Sequence, residues 1–360
     1  MKIAIAGGGT GGHLFPALAV GEVLRERGHE VLLFISEKEI DALAVQGRSE
    51  FRFEKLPSIG MPRLFSPAMF TFCQRFYASL AACRRIYAEF QPDAVLGMGG
   101  FTSTPPILAG KLRRVPTFLH ESNAIPGKAN RLNACMVDVV LLGFEECKQH
   151  FPRVRCEVTG TPIRRSLAVR IPREEALAGF GLQPGCTTVL VMGGSQGARG
   201  INAAMRAAAA EGKLGGLQVI HLTGAGDESA VAQSYRDAGV SAYVAAFCSQ
   251  MENAYSAADM VVARSGAASL SEISHFALPA LLIPYPHASE NHQQLNAEIF
   301  ARAGAARVLE ERETTGETLA GAIRKLAEDP ELLHIMAGHS QRLAPRDAAA
   351  CVADTMEKLQ

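Results

Sequence analysis

The chain has 360 residues, more than a single hydrophobic core usually contains, so two domains are expected. Lysine and arginine number 36, as do aspartate and glutamate, so the charge balance gives no reason to expect nucleic acid as a ligand. The eight cysteines show no metal-ligand spacing, which indicates reduced thiols in a cytoplasmic protein. The first apolar run is too short for a signal peptide, and no apolar run predicts a membrane span.

Short apolar runs alternate with helix-length segments along the chain. They are KIAIA, EVLLFI, DAVLGM, PTFLH and VDVVLL in the first half, then TTVLVM, LQVIHL, SAYVAA, DMVVA and PALLIP in the second. This alternation predicts parallel sheets covered by helices. Each half begins with the same plan of strand, glycine loop and helix, so each is expected to form its own doubly wound domain.

A segment rich in proline, glycine and charge, residues 158–186, separates the halves and is typical of a linker. We therefore predict domains at 1–162 and 163–342, with a C-terminal helix in 343–360 that returns to the first domain. Ligands of doubly wound sheets bind at the carboxyl ends of the strands. The active site is accordingly expected in a cleft between the domains.

Glycine-rich loops follow four of the predicted strands, at residues 7–12, 97–100, 193–197 and 223–226. The amides of such a loop, with a helix N-terminus behind it, bind anions. The alternative is a tight turn that needs glycine only for its backbone angles. Because the first three loops carry Thr10, Ser103 or Ser195 hydroxyls, we favour phosphate or sugar contact there, and a tight turn for the fourth.

Gly7, Gly9 and Gly12 also satisfy the dinucleotide fingerprint G-x-G-x-x-G, with Glu37 as a candidate ribose-binding acid. A dinucleotide enzyme has no use for a second glycine-rich phosphate loop in an equivalent domain. A sugar-nucleotide enzyme does, because one domain holds a nucleotide diphosphate and the other an acceptor that bears a diphosphate. The loops therefore favour a sugar-nucleotide enzyme.

Seven motifs occur in order: GGTGGHLFPALA (8–19), GMGGF (97–101), HESNAIPGKANR (120–131), TGTPIR (159–164), GGSQGARGIN (193–202), RSGAASLSE (264–272) and HQQLNAE (292–298). Together they resemble the family of peripheral membrane N-acetylglucosaminyltransferases that convert lipid I to lipid II in peptidoglycan synthesis. The resemblance implies the α/β GT-B fold, in which two Rossmann-like doubly wound parallel-sheet domains face an interdomain cleft. It also implies that UDP-N-acetylglucosamine binds the C-terminal domain and the acceptor lipid the N-terminal one.

The resemblance assigns donor-binding residues in the second half. It places Glu272 on the ribose, where a carboxylate accepts from two vicinal hydroxyls. A capping box formed by Ser269 and Glu272 is the alternative. Gln293 and Gln294 are assigned to the N-acetylglucosamine moiety. The other predicted contacts are Ser195 at the diphosphate, Cys248 at the base, Arg264, Ala267, Ala268 and Ser269 in the uridine-side motif, and Asn123 and Arg164, which close on the nucleotide sugar.

His13 begins the first helix and is the predicted catalytic residue, beside the substrate-binding residues Thr10, Gly11 and Gly12. The positive helix terminus disfavours imidazolium, so a neutral ring there is suited to accept a proton. The alternative is a ring that only satisfies hydrogen bonds of the loop. Because no Asp-x-Asp triplet occurs, neither a metal site nor a cofactor is predicted.

Residues 61–90 combine large apolar side chains with arginines, and KLRR (111–114) lies nearby. The residues concerned are Phe65, Met69, Phe70, Phe72 and Phe76 with Arg63, Arg75, Arg84 and Arg85. An apolar face rimmed by arginine predicts peripheral binding to the cytoplasmic face of an anionic membrane. A core helix with solvated arginines explains the pattern equally well.

These observations predict an inverting transfer in which the 4-hydroxyl of the N-acetylmuramyl unit of lipid I attacks UDP-N-acetylglucosamine. Two alternatives remain open. A UDP-N-acetylglucosamine epimerase of the same fold would need no surface for lipid. A non-catalytic nucleotide-sugar-binding protein would bind UDP and release none with any acceptor.

Overall fold

A computed structural model describes residues 1–38, 41–42, 45–57, 60, 62, 66–194, 197–345 and 347–359. The chain divides into two compact units. Unit 1 contains Met1–Arg164 and Arg346–Gln360, and unit 2 contains Arg165–Pro345.

Unit 1 is built on a seven-stranded parallel sheet. Its strands are β1 (Lys2–Ala6), β2 (Glu30–Ser36), β3 (Arg52–Leu56), β4 (Ala94–Gly97), β5 (Thr117–Glu121), β6 (Val139–Leu142) and β7 (Arg155–Val158), in the order β3-β2-β1-β4-β5-β6-β7. The helices are α1 (Gly11–Glu26), α2 (Ala68–Phe90), α3 (Thr104–Leu112) and α4 (Lys128–Asn133). All five apolar runs predicted as strands in this half form strands. The two edge strands β3 and β7 were not predicted, because RFEKL and RCEV carry charges in place of an apolar run.

Unit 2 is built on a six-stranded parallel sheet. Its strands are β8 (Thr187–Met192), β9 (Leu217–Leu222), β10 (Ser241–Ala245), β11 (Met260–Ala263), β12 (Ala280–Leu282) and β13 (Ala306–Val308), in the order β10-β9-β8-β11-β12-β13. The helices are α5 (Arg173–Gly179), α6 (Arg199–Ala210), α7 (Glu228–Asp237), α8 (Met251–Ala257), α9 (Ala267–His275), α10 (His292–Arg302), α11 (Gly316–Ala327) and α12 (Pro330–Leu343). The five apolar runs of this half also form strands.

The last helix, α13 (Ala348–Glu357), belongs to unit 1, where it packs on α1. Its buried residues Val352 and Met356 join the core cluster that contains Ile3 and Leu18. Short 3₁₀ turns lie at Phe101–Ser103, Glu145–His150, Arg165–Ala168, Ser289–Asn291 and Glu311–Glu313.

Both faces of the unit 1 sheet are buried. Ile3 and Ile5 of β1 pack with α1, whereas Ala4 and Ala6 pack on the other face with Tyr87 of α2. A strand covered on both faces reads as a continuous apolar run, which is why the strands were visible in the sequence.

The strand order of each sheet reverses at one point, between β1 and β4 in unit 1 and between β8 and β11 in unit 2. The connections that leave the two strands of such a pair diverge, so a crevice forms at their carboxyl ends where ligands bind. These two switch points are therefore the places in the fold where ligands are expected.

Candidate active site

The loop after β1 lies at the switch point of unit 1 and is fixed by Asp41. One carboxylate oxygen of Asp41, Oδ2, accepts hydrogen bonds from the Gly9 amide at 2.7 Å and the Ser36 amide at 2.8 Å. Gly8 must lack a side chain, because a Cβ there would lie 2.2 Å from the Ser36 nitrogen. The loop is thus held against β2 before α1 begins.

His13 projects from the first turn of α1 onto the loop after β4. Its Nε2 would lie 3.0 Å from a Cβ at Gly99, whose φ of +108° also favours glycine. Its Nδ1 lies 3.3 Å from the Thr10 hydroxyl oxygen, and Gly11 and Gly12 form the start of the helix between them. The ring therefore joins the two loops of the switch point.

Burial lowers the pKa of His13 to about 4, with Asp41 raising it and Lys38 lowering it. The imidazole is consequently neutral near pH 7 and has a lone pair that can accept a proton. The main cause of this neutral state is burial and not the helix terminus that the sequence predicts.

Ser103 differs from the prediction. Its side chain is fully buried, and its hydroxyl lies 3.0 Å from the Ala6 carbonyl oxygen and 2.8 Å from that of Gly99. The expected phosphate or sugar contact through this hydroxyl is therefore wrong. The side chain instead ties the loop after β4 to β1.

Glu121, at the end of β5, organises the loop that follows and was missed in the sequence. Its Oε1 accepts from the backbone and side-chain nitrogens of Asn123 at 2.9 and 3.1 Å. Its Oε2 accepts from the Gly127 amide at 3.2 Å and from Asn130 Nδ2 at 2.8 Å. Burial raises the pKa of Glu121, and these hydrogen bonds lower it. Asn123, predicted to contact substrate, is thus placed by this carboxylate.

Arg164, the last residue of the first segment of unit 1, lies beside α1. Its guanidinium carbon is 4.7 Å from the centre of the Phe15 ring, within the range of a cation–π contact. This contact places Arg164 near the helix that carries His13.

The predicted donor residues of unit 2 follow three strands of the parallel sheet, each beyond the carboxyl end of its strand. Cys248 follows β10, Arg264 follows β11, and Gln293 and Gln294 lie in α10 after β12. Because the strands are parallel, these positions share one edge of the sheet. Ser195, predicted after β8, lies outside the described residues.

Two helices begin at the switch point of unit 2, α6 after β8 and α9 after β11. Their N-cap residues are Ala198 and Gly266, and within the described part of the chain no side chain caps either helix. The first-turn amides of any helix have no intrahelical partner, and the helix dipoles make both termini positive. Ala267, Ala268 and Ser269, predicted to contact substrate within the uridine-side motif, form the first turn of α9.

Glu272 is held by a tyrosine that the sequence analysis missed. The Tyr255 hydroxyl donates to Glu272 Oε2 at 2.8 Å, and the Tyr255 ring stacks on Phe276 with centroids 5.0 Å apart. The capping box of Ser269 and Glu272 does not form, because α9 has Gly266 as its N-cap and Ser269 lies inside the helix. That alternative is therefore wrong.

Arg264 is buried and has several protein partners. Its Nη1 donates to the Ile283 carbonyl at 3.0 Å and pairs with Glu311, and its guanidinium lies over the Tyr285 ring. Glu311 in turn contacts the first turn of α6, where a Cβ at Gly200 would overlap its carboxylate. Arg264 thus braces the loop after β12, and its contact with substrate stays a prediction.

The half-buried Gln293 and Gln294 lie in the first turn of α10. Gln293 Oε1 accepts from the Tyr285 amide at 2.9 Å, and Gln294 Nε2 donates to Glu298 at 3.1 Å. Glu290, two residues before the helix, has φ of +54°, which glutamate rarely adopts, whereas Asn291 has φ of +55°, which asparagine adopts more readily. Backbone strain of this kind is frequent beside ligand sites.

The N-terminal part of α2 exposes aromatic side chains. Phe70 is 70% exposed and Tyr77 is 74% exposed, whereas Phe72 is half-buried and packs on Phe76 and Phe101. Exposed arginines on the same helix are Arg75, Arg84 and Arg85. Arg63 and Phe65 lie outside the described residues. Within the described ranges, no helix is long and apolar enough to cross a membrane.

Family comparisons define the class of protein. The model of the glycosyltransferase family 28 N-terminal domain matches residues 3–142, and that of the family 28 C-terminal domain matches residues 188–351. The chain belongs to glycosyltransferase family 28.

Individual relatives narrow this class. A protein of Geobacter sulfurreducens is 40% identical, over 99% of this chain and 98% of its own length, and one of Halothermothrix orenii is 40% identical over 95% of each. Both are named UDP-N-acetylglucosamine–N-acetylmuramyl-(pentapeptide) pyrophosphoryl-undecaprenol N-acetylglucosamine transferase. The crystal structure of Acinetobacter baumannii MurG has a TM-score of 0.79 and 27% identity, and covers 99% of both chains.

The predicted resemblance, the two Rossmann-like parallel sheets and the glycosyltransferase class are confirmed. A UDP-GlcNAc 2-epimerase from Neisseria meningitidis also shares the fold, with a TM-score of 0.69 and 99% coverage of this chain, but only 14% identity. The epimerase alternative is therefore not favoured.

Proposed function

We propose that this enzyme transfers N-acetylglucosamine from UDP-N-acetylglucosamine to the 4-hydroxyl of the N-acetylmuramyl unit of lipid I, giving lipid II. The observation that carries the proposal is the switch point of unit 2. Two positive helix termini lie there beside Glu272, whose carboxylate is oriented by Tyr255. This combination suits a ligand that has a diphosphate next to a ribose.

In the proposed donor complex, the amides at the starts of α6 and α9 bind the diphosphate. Glu272 accepts hydrogen bonds from the ribose hydroxyls, and the backbone at Cys248 contacts the base. Gln293 and Gln294 bind the sugar, since amide side chains offer both donors and acceptors to its hydroxyls. Asn123 and Arg164 complete the set from unit 1.

The acceptor belongs to unit 1 in this proposal. The acceptor oxygen forms a bond to the anomeric carbon, while the bond from that carbon to the phosphate oxygen breaks and UDP leaves with the electron pair. The hydroxyl proton passes to the neutral His13 ring, and the helix amides of unit 2 stabilise the departing diphosphate. Thr10, Gly11 and Gly12 bind the acceptor beside His13.

The exposed part of α2 is proposed to bind the cytoplasmic face of an anionic membrane, where the lipid acceptor resides. Phe70 and Tyr77 supply apolar contact and Arg75 supplies positive charge. A double variant, Phe70→Ser with Tyr77→Ser, should lower co-sedimentation with anionic vesicles and keep the affinity for UDP. Ile335→Ser, which removes an exposed apolar residue of unit 2, is the control and should sediment like the parent.

The test of the reaction is UDP release from UDP-N-acetylglucosamine with and without a short-chain lipid I analogue. We expect release only with the analogue, together with a product heavier by one N-acetylglucosamine. UDP binding without release in either reaction would favour the non-catalytic alternative. Conversion of the nucleotide sugar alone would favour the epimerase.

A further inference from the structure

Three buried polar side chains form a hydrogen-bonded network in unit 2. It links His221 of β9, Tyr235 of α7 and Asn202 of α6, and all three side chains are buried. His221 Nδ1 is 2.8 Å from the Tyr235 hydroxyl, and Nε2 is 3.0 Å from Asn202 Oδ1. None of these groups takes part in the proposed reaction.

The hydrogen bonds of Asn202 define the orientation of its side-chain amide in this network. Its Nδ2 donates to the Thr223 carbonyl at 3.0 Å and to Asp227 Oδ2 at 2.8 Å, so its Oδ1 faces the histidine as an acceptor. Burial lowers the pKa of His221 to about 3, so the ring carries a single proton. That proton must lie on Nε2, which leaves Nδ1 to accept from Tyr235.

The network extends to the glycine loop that precedes α6. Gly197 has φ of +73°, and a Cβ there would lie 2.2 Å from the Thr223 carbonyl oxygen and 3.0 Å from the Gly224 Cα. The backbone of Thr223 therefore forms a support on which Gly197 rests. Asn202 lies in the first turn of α6, and its backbone N–H donates to the carbonyl of Ala198, the N-cap of that helix.

We propose that Tyr235 and His221 are positioning residues for the donor diphosphate. Through Asn202 they hold both the Thr223 carbonyl and the start of α6, so the first-turn amides keep the direction that an anion requires. Removal of one member leaves a buried donor or acceptor unpaired in a low-dielectric surrounding, which the start of the helix must relax to satisfy. This inference rests on the proposed function, because it takes α6 as part of the donor site.

The test compares two ligands that differ only in the diphosphate, UDP and uridine. Tyr235→Phe removes one hydroxyl, and His221→Leu removes both ring nitrogens. For each we expect the dissociation constant of UDP, measured by titration, to rise about 5- to 30-fold, with that of uridine unchanged. The KM for UDP-N-acetylglucosamine should rise with kcat at saturation near that of the parent. His221→Gln keeps one donor and one acceptor and should restore most of the affinity.

Tyr87→Phe is the matched control, because it removes the same atom from a buried tyrosine of unit 1 whose hydroxyl donates to the Pro106 carbonyl at 3.3 Å. The ratio of UDP to uridine affinity should stay at the parental value in this variant. A parental ratio in folded Tyr235→Phe, or equal weakening of both ligands, would overturn the positioning role. If His221→Leu fails to fold, Tyr235→Phe and His221→Gln decide the question. If the parent shows no preference for UDP over uridine, the proposed function itself fails.

Discussion

The two units share one architecture but place different chemistry at their switch points. In unit 1 the loops there hold ionisable side chains, with the neutral His13 ring near Asp41 and Lys38. In unit 2 the corresponding position holds two helix starts, neither capped by a described side chain, and the oriented carboxylate of Glu272. The first set suits proton transfer, and the second suits an anion and hydroxyl groups.

This contrast shows what a doubly wound sheet determines and what it leaves free. The strand order determines where a crevice forms, because the connections diverge at the same relation of strands in both units. The loop residues determine what the crevice can bind or do.

His13→Ala tests the proton chemistry of unit 1. We expect kcat to fall by about 100- to 10,000-fold, the range for a lost general base, with little change in the KM for UDP-N-acetylglucosamine. Because the pKa of the ring is lowered to about 4, the base is protonated only as the pH falls toward that value. The kcat/KM of the parent should therefore stay flat from about pH 7 to 5 and fall near pH 4.

His334→Ala, on an exposed residue of α12, is the control and should keep full turnover. If His13→Ala keeps near-normal turnover at saturating acceptor and only its acceptor KM rises, the ring braces the loops and is not the base. The two units would then differ in the ligand that each binds, and unit 1 would have no role in proton transfer through His13.

Glu272→Ala tests the recognition chemistry of unit 2. We expect the affinity for UDP-N-acetylglucosamine to weaken by about 1.5–3 kcal/mol, or roughly 10- to 150-fold, because charge-assisted hydrogen bonds to the ribose are lost. Tyr255→Phe should give a smaller loss, since it frees the carboxylate without removing it. Glu317→Ala removes an exposed glutamate of the same unit and serves as the control. An unchanged affinity with a lower melting temperature would make Glu272 purely structural.

The sequence contained most of the fold, because strands buried on both faces are continuous apolar runs. It did not contain β13, whose ARV is too short to stand out from its surroundings. Site residues within motifs were accessible in the same way, since each motif follows a strand. Ser103 was misjudged because a hydroxyl beside glycines looks the same whether it points outward or, as here, toward the Ala6 carbonyl.

Contacts between residues of separate elements could not be predicted from the sequence. Tyr255 reaches Glu272 from another helix, and Tyr235 reaches His221 across the face of the sheet. No spacing in the chain records such contacts, because they exist only after the elements pack. The same holds for the pKa of His13, which depends mainly on burial.

The two units can also be compared by their stability in acid, because the core of each holds a fully buried neutral histidine. Burial lowers the pKa of His120 in unit 1 to about 4 and that of His221 in unit 2 to about 3. The unfolded chain binds protons at these residues below about pH 6.5, whereas the folded chain does not. The free energy of unfolding therefore has its full value above that pH and decreases as the pH falls toward 4 and 3.

Each histidine should contribute about 1.2 kcal/mol to this loss between pH 6 and 5, slightly less than the roughly 1.4 kcal/mol per pH unit of a full proton difference. Urea unfolding of the parent and of His120→Gln and His221→Gln at these two pH values measures it. Each variant should show a shallower decline by that amount, although its stability at pH 7 is lower. A decline as steep as that of the parent would mean that the ring is not neutral in the folded state.

Removal of divalent metal ions should have the smallest effect, and it tests the assignment of helix amides to the diphosphate. Among the described residues, no group of three or more His, Cys, Asp or Glu side chains is arranged to hold a metal ion. In the proposed donor complex, the starts of α6 and α9 supply the positive charge that faces the diphosphate. A chelator should therefore change the dissociation constant of UDP by less than about twofold, since hydrogen bonds from amides need no ion. UDP affinity that is lost in chelator and restored by magnesium or manganese would show that an ion supplies the charge. The contrast between the units would then lie in the ion and not in the helix starts.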